Sequence, residues 1–216
     1  MGRGRHAGYD DQRELILARA AHLFAQRGYA TTSMSEVAEA CGLSKATLYH
    51  YYRDKDALLF SIADTHIERL ERLVDQAQAE GHDAEGRMRS LIRRLLQEYA
   101  DAQDAHRVLT GEVRFLPAAD RQRILDRERR VVAGFAEVVA ALRPDLQAAA
   151  LAKPLTMLLF GMVNWMFTWL RPDGTLDHEG MAPLVGDLFL GGLGAVRIPP
   201  QAAPAQPSTP HQETTP

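Results

Sequence analysis

A chain of 216 residues with 46% hydrophobic content can bury a substantial core, and its single cysteine, Cys41, excludes an intramolecular disulfide and points to the cytoplasm. The net charge of −3 excludes a uniformly basic nucleic-acid coat, so any such binding has to come from a local patch.

Residues 1–9 carry Arg3, Arg5 and His6 among glycines and lack the apolar run of a secretory signal. They are expected to form a disordered basic arm, either a frayed terminus or a segment that enters a minor groove. From Asp11 to Arg27, the residues Ile16, Ala20, Leu23 and Phe24 mark one stripe of an amphipathic helix that Gly28 ends. Ser33 and Glu36 have the spacing of a capping box, and Met34, Val37, Ala38 and Cys41 share a face of the helix they open. Gly42 supplies a left-handed residue and Ser44 caps a further helix from Lys45, so two helices meet across Gly42 and Leu43 in a helix-turn-helix layout.

Leu48 and Tyr52 form the core face of that second helix. The other side presents Ala46, Thr47, Tyr49 and His50, with Lys45 at the edge and Tyr51 flanking. A cation, hydroxyls and a methyl group are the side chains that meet phosphates and base edges. From Leu43 to Lys55 the local balance is +2, since Lys45, Arg53 and Lys55 stand against Asp54. Periodicity and turn chemistry alone are equally consistent with an ordinary surface helix hairpin.

Asp54 caps a long connector helix running from Lys55 to about Glu80, broken at Gly81-His82. Next come helices over about Asp83–Asp101, Ala105–Gly111 and Ala118–Leu142. An element opened by Arg143-Pro144-Asp145 is expected to be interrupted or kinked at Pro154. Leu155–Leu170 is apolar all round and needs cover on every side; with Pro154 it is at the lower edge of membrane-spanning length but contains Asn164 and two threonines, so a buried or interface helix is the better account. Arg171-Pro172-Asp173-Gly174 is a turn, and a last helix covers about Asp177–Gly191. The proline-rich tail, 198–216, is expected to be disordered. The fold class is therefore all-α, with residues 10–55 as a helix-turn-helix domain and residues 56–197 as a helical domain.

In order and spacing, Ile16-Leu17, Leu23-Phe24, Gly28-Tyr29, Thr31-Thr32, Val37-Ala38, Gly42-Leu43-Ser44, Thr47-Leu48-Tyr49, Tyr51-Tyr52 and Lys55-Asp56-Ala57-Leu58 resemble the N-terminal domain of the TetR family of bacterial transcriptional regulators. The resemblance implies that Thr32, Ser44 and Lys55 hold phosphates and that Tyr49 and Tyr51 contact the DNA backbone. It sets Lys45, Ala46, Thr47 and His50 nearest the base edges. It also implies a homodimer formed through helices within 155–192, two recognition helices in successive major grooves, and a pseudo-palindromic operator. A repressor released by a small-molecule effector is the usual arrangement.

Met88, Ile92, Phe115, Leu116, Met157, Phe160, Asn164, Trp165 and Trp169 are the effector-lining expectations, although plain core or dimer packing suits most of them as well. The run Gly161…Asn164-Trp165…Trp169-Leu170-Arg171-Pro172-Asp173-Gly174 also resembles members that sense acyl-coenzyme A thioesters, with Arg89, Arg93, Arg94, Arg121, Arg123 and Arg127 as possible phosphate partners. No cofactor or metal site is implied. Phosphate-binding glycine loops, HExxH, a nucleophile elbow and CxxC are all missing, which argues against an enzyme.

Overall fold

In the computed structural model, residues 3–170 and 174–199 are described, apart from the side chains of residues 3–7 and Phe167. Every regular element among them is helical. In chain order these are α1 (Arg3–Arg27), α2 (Met34–Ala40), α3 (Lys45–Tyr51), α4 (Lys55–Ala79), α5 (Ala84–Asp101), α6 (Gln103–Gly111), α7 (Ala118–Leu142), α8 (Pro144–Ala148), α9 (Ala152–Trp165) and α10 (His178–Ala195). The expected turn at 171–173 and the tail from residue 200 onward lie outside the described residues. None of the described helices is long and apolar enough to cross a membrane.

The first three helices close on a small core of Ile16, Ala20, Phe24, Val37 and Leu48, each at most 1% exposed. The capping box forms as expected: the Ser33 side chain accepts from the Glu36 backbone N–H, and Glu36 accepts from the Ser33 N–H at 2.7 Å. Gly42 adopts φ +66°, a conformation glycine reaches without the steric cost a Cβ would bring. Cys41 is only half buried, because α2 ends at Ala40 and leaves Cys41 as its C-cap rather than on the packed face.

α4 links this unit to the rest. Asp54 caps it by accepting from Ala57 N–H at 2.7 Å, and α6, α5 and α7 all pack along it. Arg127 of α7 reaches α4, donating to Glu71 at 2.6 Å and to Asp64 at 2.5 Å, while Arg130 donates to Glu71 at 2.8 Å. Gly134 lets α7 approach closely: a Cβ there would lie 2.3 Å from Val74 Cγ1. On the other side of the core, α9 lies on α7 and α10 lies on α5.

Two expectations about boundaries need correction. Residues 3–9 continue α1 instead of forming a loose arm, and Tyr9 is held by stacking on Tyr51 with ring centroids 4.8 Å apart. Pro154 does not kink its helix, because it falls in the first turn of α9, where the missing N–H has no intrahelical acceptor to lose.

Candidate nucleic-acid interface and effector region

The exposed face of α3 follows from its burial. Leu48 and Tyr52 are 0% and 4% exposed, so helical geometry turns Lys45, Ala46, Thr47, Tyr49 and His50 outward, and all five are exposed. Tyr49, 46% exposed, presents its phenol to solvent. Tyr51 is half buried between Tyr9 and the edge of His50. Ser44 uses its hydroxyl as the α3 cap, accepting from Thr47 N–H at 3.0 Å, with Thr47 Oγ1 only 2.7 Å away.

Of the two remaining residues expected at phosphates, Thr32 is buried and Lys55, half-buried, is engaged by loop carbonyls. Thr32 is 1% exposed and its hydroxyl donates to the Gly28 carbonyl at 2.9 Å. Lys55 donates its ammonium to the carbonyls of Tyr29 at 2.8 Å, Thr32 at 2.9 Å and Ala30 at 3.5 Å, and sits 4.2 Å from the Tyr29 ring centroid. Both side chains shape the loop between α1 and α2, because its carbonyls have no strand or helix partners and take the nearest donors instead. Tyr29 closes the arrangement: its hydroxyl donates to Asp56, and burial, together with this carboxylate, pushes the phenol well above its ordinary range. The backbone N–H of Tyr29 donates to Glu112 at 3.0 Å and its ring stacks on Phe115, so the loop also leans on the segment following α6.

The residues expected around an effector do not converge. Met88, Ile92, Leu116 and Phe160 are core, Phe115 packs against Tyr29, and Met157, Trp165 and Trp169 are at least half exposed on the outer face. Asn164 and Trp165 alone share a cleft, of about 530 Å³, with His106, Arg107, Thr110, Gly161 and Thr168. The outer face bears Leu158 and Trp165 on α9 and Leu184 and Leu188 on α10, each between 49% and 67% exposed.

A buried polar cluster was missed in the sequence. Tyr99 donates its hydroxyl to Asn164 Oδ1 at 3.0 Å and its ring packs 3.7 Å from that of His106. His106 Nδ1 lies 3.2 Å from His66 Nε2, and His66 Nδ1 lies 3.4 Å from Glu98 Oε1. Burial, with His66 alongside, pushes His106 down to about 3, so the imidazole is neutral at physiological pH. The signal was present: His66 falls four residues after Ile62 and four before Leu70, in phase with the apolar stripe of α4.

Arginines are divided between fastening and lining. Arg127 is clasped by α4 carboxylates, Arg89 by Glu85 and Asp187, and Arg123 by Asp120. Arg69, Arg72, Arg93 and Arg94 line a groove of about 410 Å³ between α4 and α5, tempered by Glu98, Asp101 and Glu179; Arg94 is also clasped by Glu80, Arg72 lies 3.6 Å from Glu68 and Arg69 lies 3.7 Å from Glu98.

Residues 16–62 match the family described as "Bacterial regulatory proteins, tetR family", and residues 81–193 match "Tetracyclin repressor-like, C-terminal domain". A TetR-family transcriptional regulator of Bordetella parapertussis superposes with a TM-score of 0.80 at 34% identity, covering 86% of this chain and 97% of that one. AibR, solved with isovaleryl coenzyme A and operator DNA, gives a TM-score of 0.71 at 27% identity, over 82% of this chain and 97% of AibR. The transcriptional repressor KstR2 of Rhodococcus jostii is 23% identical over 88% of this chain and 94% of its own length. Three other curated regulators, among them the transcriptional activator FasR of Mycolicibacterium smegmatis, align in part only, with this chain spanning 20% to 41% of their length.

Proposed function

The chain belongs to the TetR family of bacterial regulatory proteins, and on that premise we propose that it is a cytoplasmic transcriptional repressor that binds a pseudo-palindromic operator as a homodimer and leaves it on binding a small molecule. The observation that carries the reading is the α3 surface: a helix anchored by Leu48 and Tyr52 that exposes a cation, a methyl, a hydroxyl, a phenol and an imidazole side by side. Lys45, Ala46, Thr47 and His50 meet base edges. Ser44, Tyr49 and Tyr51 meet the sugar-phosphate backbone without adding charge.

One copy carries only a small positive patch, so specificity comes from using it twice. The apolar outer face of α9 and α10 is the surface a second copy would cover, since bare Leu and Trp side chains of this size mark an interaction site. A two-fold axis there sets the recognition helices about 34 Å apart, one turn of DNA. The effector we propose is an acyl-coenzyme A thioester or related apolar acid derivative. Supporting this are the likeness to AibR and the arginine groove between α4 and α5; Asn164 and Trp165 are the contacts we assign to the apolar portion. Release requires only that the ligand favour a second arrangement by a few kcal/mol, because differential affinity is what shifts a two-state equilibrium.

Selection of bound duplexes from a random pool, using the full chain, tests the reading. An inverted repeat with half-site centres one helical turn apart, or a multiple of that, is the expected product. Recovery of no enriched sequence would sink it. Thermal-shift titration with acyl-coenzyme A thioesters of graded chain length tests the effector, and no stabilisation at any length removes that part of the proposal.

A further inference from the structure

A cleft of about 560 Å³ lies where α1 meets α4 and the corner between α5 and α6, away from the α9–α10 face. Its size falls within the range of small-molecule sites. Leu17, Ala18 and Ala21 of α1 and Ile62 of α4 make its apolar part, and alanines at the α5–α6 corner keep it open. The charges around it are unbalanced: Glu14, Asp101 and Asp104 stand against the Arg69 guanidinium, and of the three carboxylates only Asp104 has an imidazole partner, His22 Nδ1 at 2.9 Å. That guanidinium is already 3.7 Å from Glu98. Glu14, by contrast, enters no ion pair among the described residues.

His66 gives the cleft its buried polar group. It lines the cavity yet is 2% exposed, and its Nδ1 makes no hydrogen bond; nor does Glu98 Oε1, 3.4 Å away. Whichever tautomer His66 adopts, a pair this long leaves both buried atoms short of a hydrogen bond, and a polar group on a bound molecule would supply one.

We infer that this cleft binds an organic cation, a protonated amine carried on a compact apolar body. The carboxylates at the rim attract the ammonium, the α1 and α4 side chains cover the apolar part, and an anion of the same shape is repelled. A bound molecule would touch α1 of the helix-turn-helix unit and α4, α5 and α6 of the helical domain together. It therefore biases how one sits on the other, and operator affinity and amine affinity are then linked reciprocally. This consequence rests on the proposed operator binding; the site itself does not.

The test uses three probes on one scaffold, 3-phenylpropylamine, 3-phenylpropanol and 3-phenylpropionate, titrated into the full chain by calorimetry and thermal shift. The amine is expected to bind and raise the Tm, with the alcohol weaker and the carboxylate at least tenfold weaker than the amine. The double variant E14Q/D101N, two exposed sites, should weaken the amine about tenfold while leaving the unliganded Tm unchanged, and Ala18→Phe should block the cleft. Equal binding of amine and carboxylate, an amine affinity untouched by both variants, or no amine binding at millimolar concentration overturns the inference. If Ala18→Phe does not fold, E14Q/D101N decides alone. A chain that binds the amine but selects no duplex keeps the cleft and loses the operator reading; the opposite result loses the cleft only.

Discussion

Lys55 and Tyr29 form a closed pair: the ammonium donates 2.8 Å to the Tyr29 carbonyl while lying 4.2 Å from the centroid of the same residue's ring. A lysine with carbonyl acceptors on one side and an aromatic face on another is a brace between the α1–α2 loop and the start of α4. Hydrogen bonds from a charged donor contribute more than neutral ones, about 1.5–3 kcal/mol each at the upper end, less here for partial exposure.

The brace predicts a particular failure for Lys55→Met. Stability falls by about 1–2 kcal/mol in urea titration, and operator affinity falls for every sequence alike. The slope of log affinity against log salt stays unchanged, whereas loss of a true phosphate contact would reduce it by about 0.9. A reduced slope returns Lys55 to the DNA.

At the α3 surface the expected effects separate by position. Tyr49→Phe, which removes only a hydroxyl, weakens binding to cognate and scrambled duplexes equally. His50→Ala or Lys45→Ala costs about 1–3 kcal/mol on the cognate site and relaxes base preference there. Competition binding against duplexes altered one base pair at a time reads both.

Buried His106 gives a pH dependence of definite sign. Its folded-state pKa, down at about 3, lies below the unfolded value of about 6.5, so the unfolded chain binds the extra proton between these limits. Its neutral form therefore contributes fully above about pH 6.5, and stability falls as pH drops toward 3, with a slope of at most about 1.4 kcal/mol per pH unit from this residue. Urea midpoints at pH 7, 6, 5 and 4 should fall more steeply for the parent than for His106→Gln.

Gly134→Ala drives a methyl into Val74 across the α4–α7 contact and should cost about 1–3 kcal/mol despite alanine's better helix propensity. Adding Val74→Ala should recover part of that loss. A strictly additive double-mutant cycle would show that the two positions do not meet.

Leu158→Glu or Leu188→Glu places a charge on the outer face of α9 or α10. Sedimentation velocity is expected to show a dimer for the parent and a monomer for either variant, with half-site binding too weak to retain an operator. A parent that sediments as a monomer contradicts the proposed assembly.

Legibility in the sequence followed local start signals, a capping side chain or, before α7, Pro117. Ser33, Ser44, Asp54, Asp83 and Asp177 each accept a backbone N–H at the start of a helix, and those starts were placed at or near the right residue. α6 begins at Gln103 rather than Ala105 and has no side-chain cap; α9, beginning at Ala152, has none either. Their ends are set by packing between distant residues, which no local pattern encodes. The site divided the same way. Burial of Leu48 and Tyr52 sets the outward face of α3 by periodicity, but the bonds of Thr32 and Lys55 depend on loop carbonyls, and the His66–His106 contact joins residues 40 apart.

α4 has 25 residues, which at 1.5 Å per residue make a rod about 37 Å long. Arg127 braces it near its middle, through Asp64 and Glu71, and Asp54 caps its first turn. A tilt of about 5° over that length displaces the far end by about 3 Å, nearly one base-pair step. About the Arg127 brace near the middle, each end moves by about half that, so a shift in the helical domain arrives at the helix-turn-helix unit at about its own size, carried by the stiffness of α4.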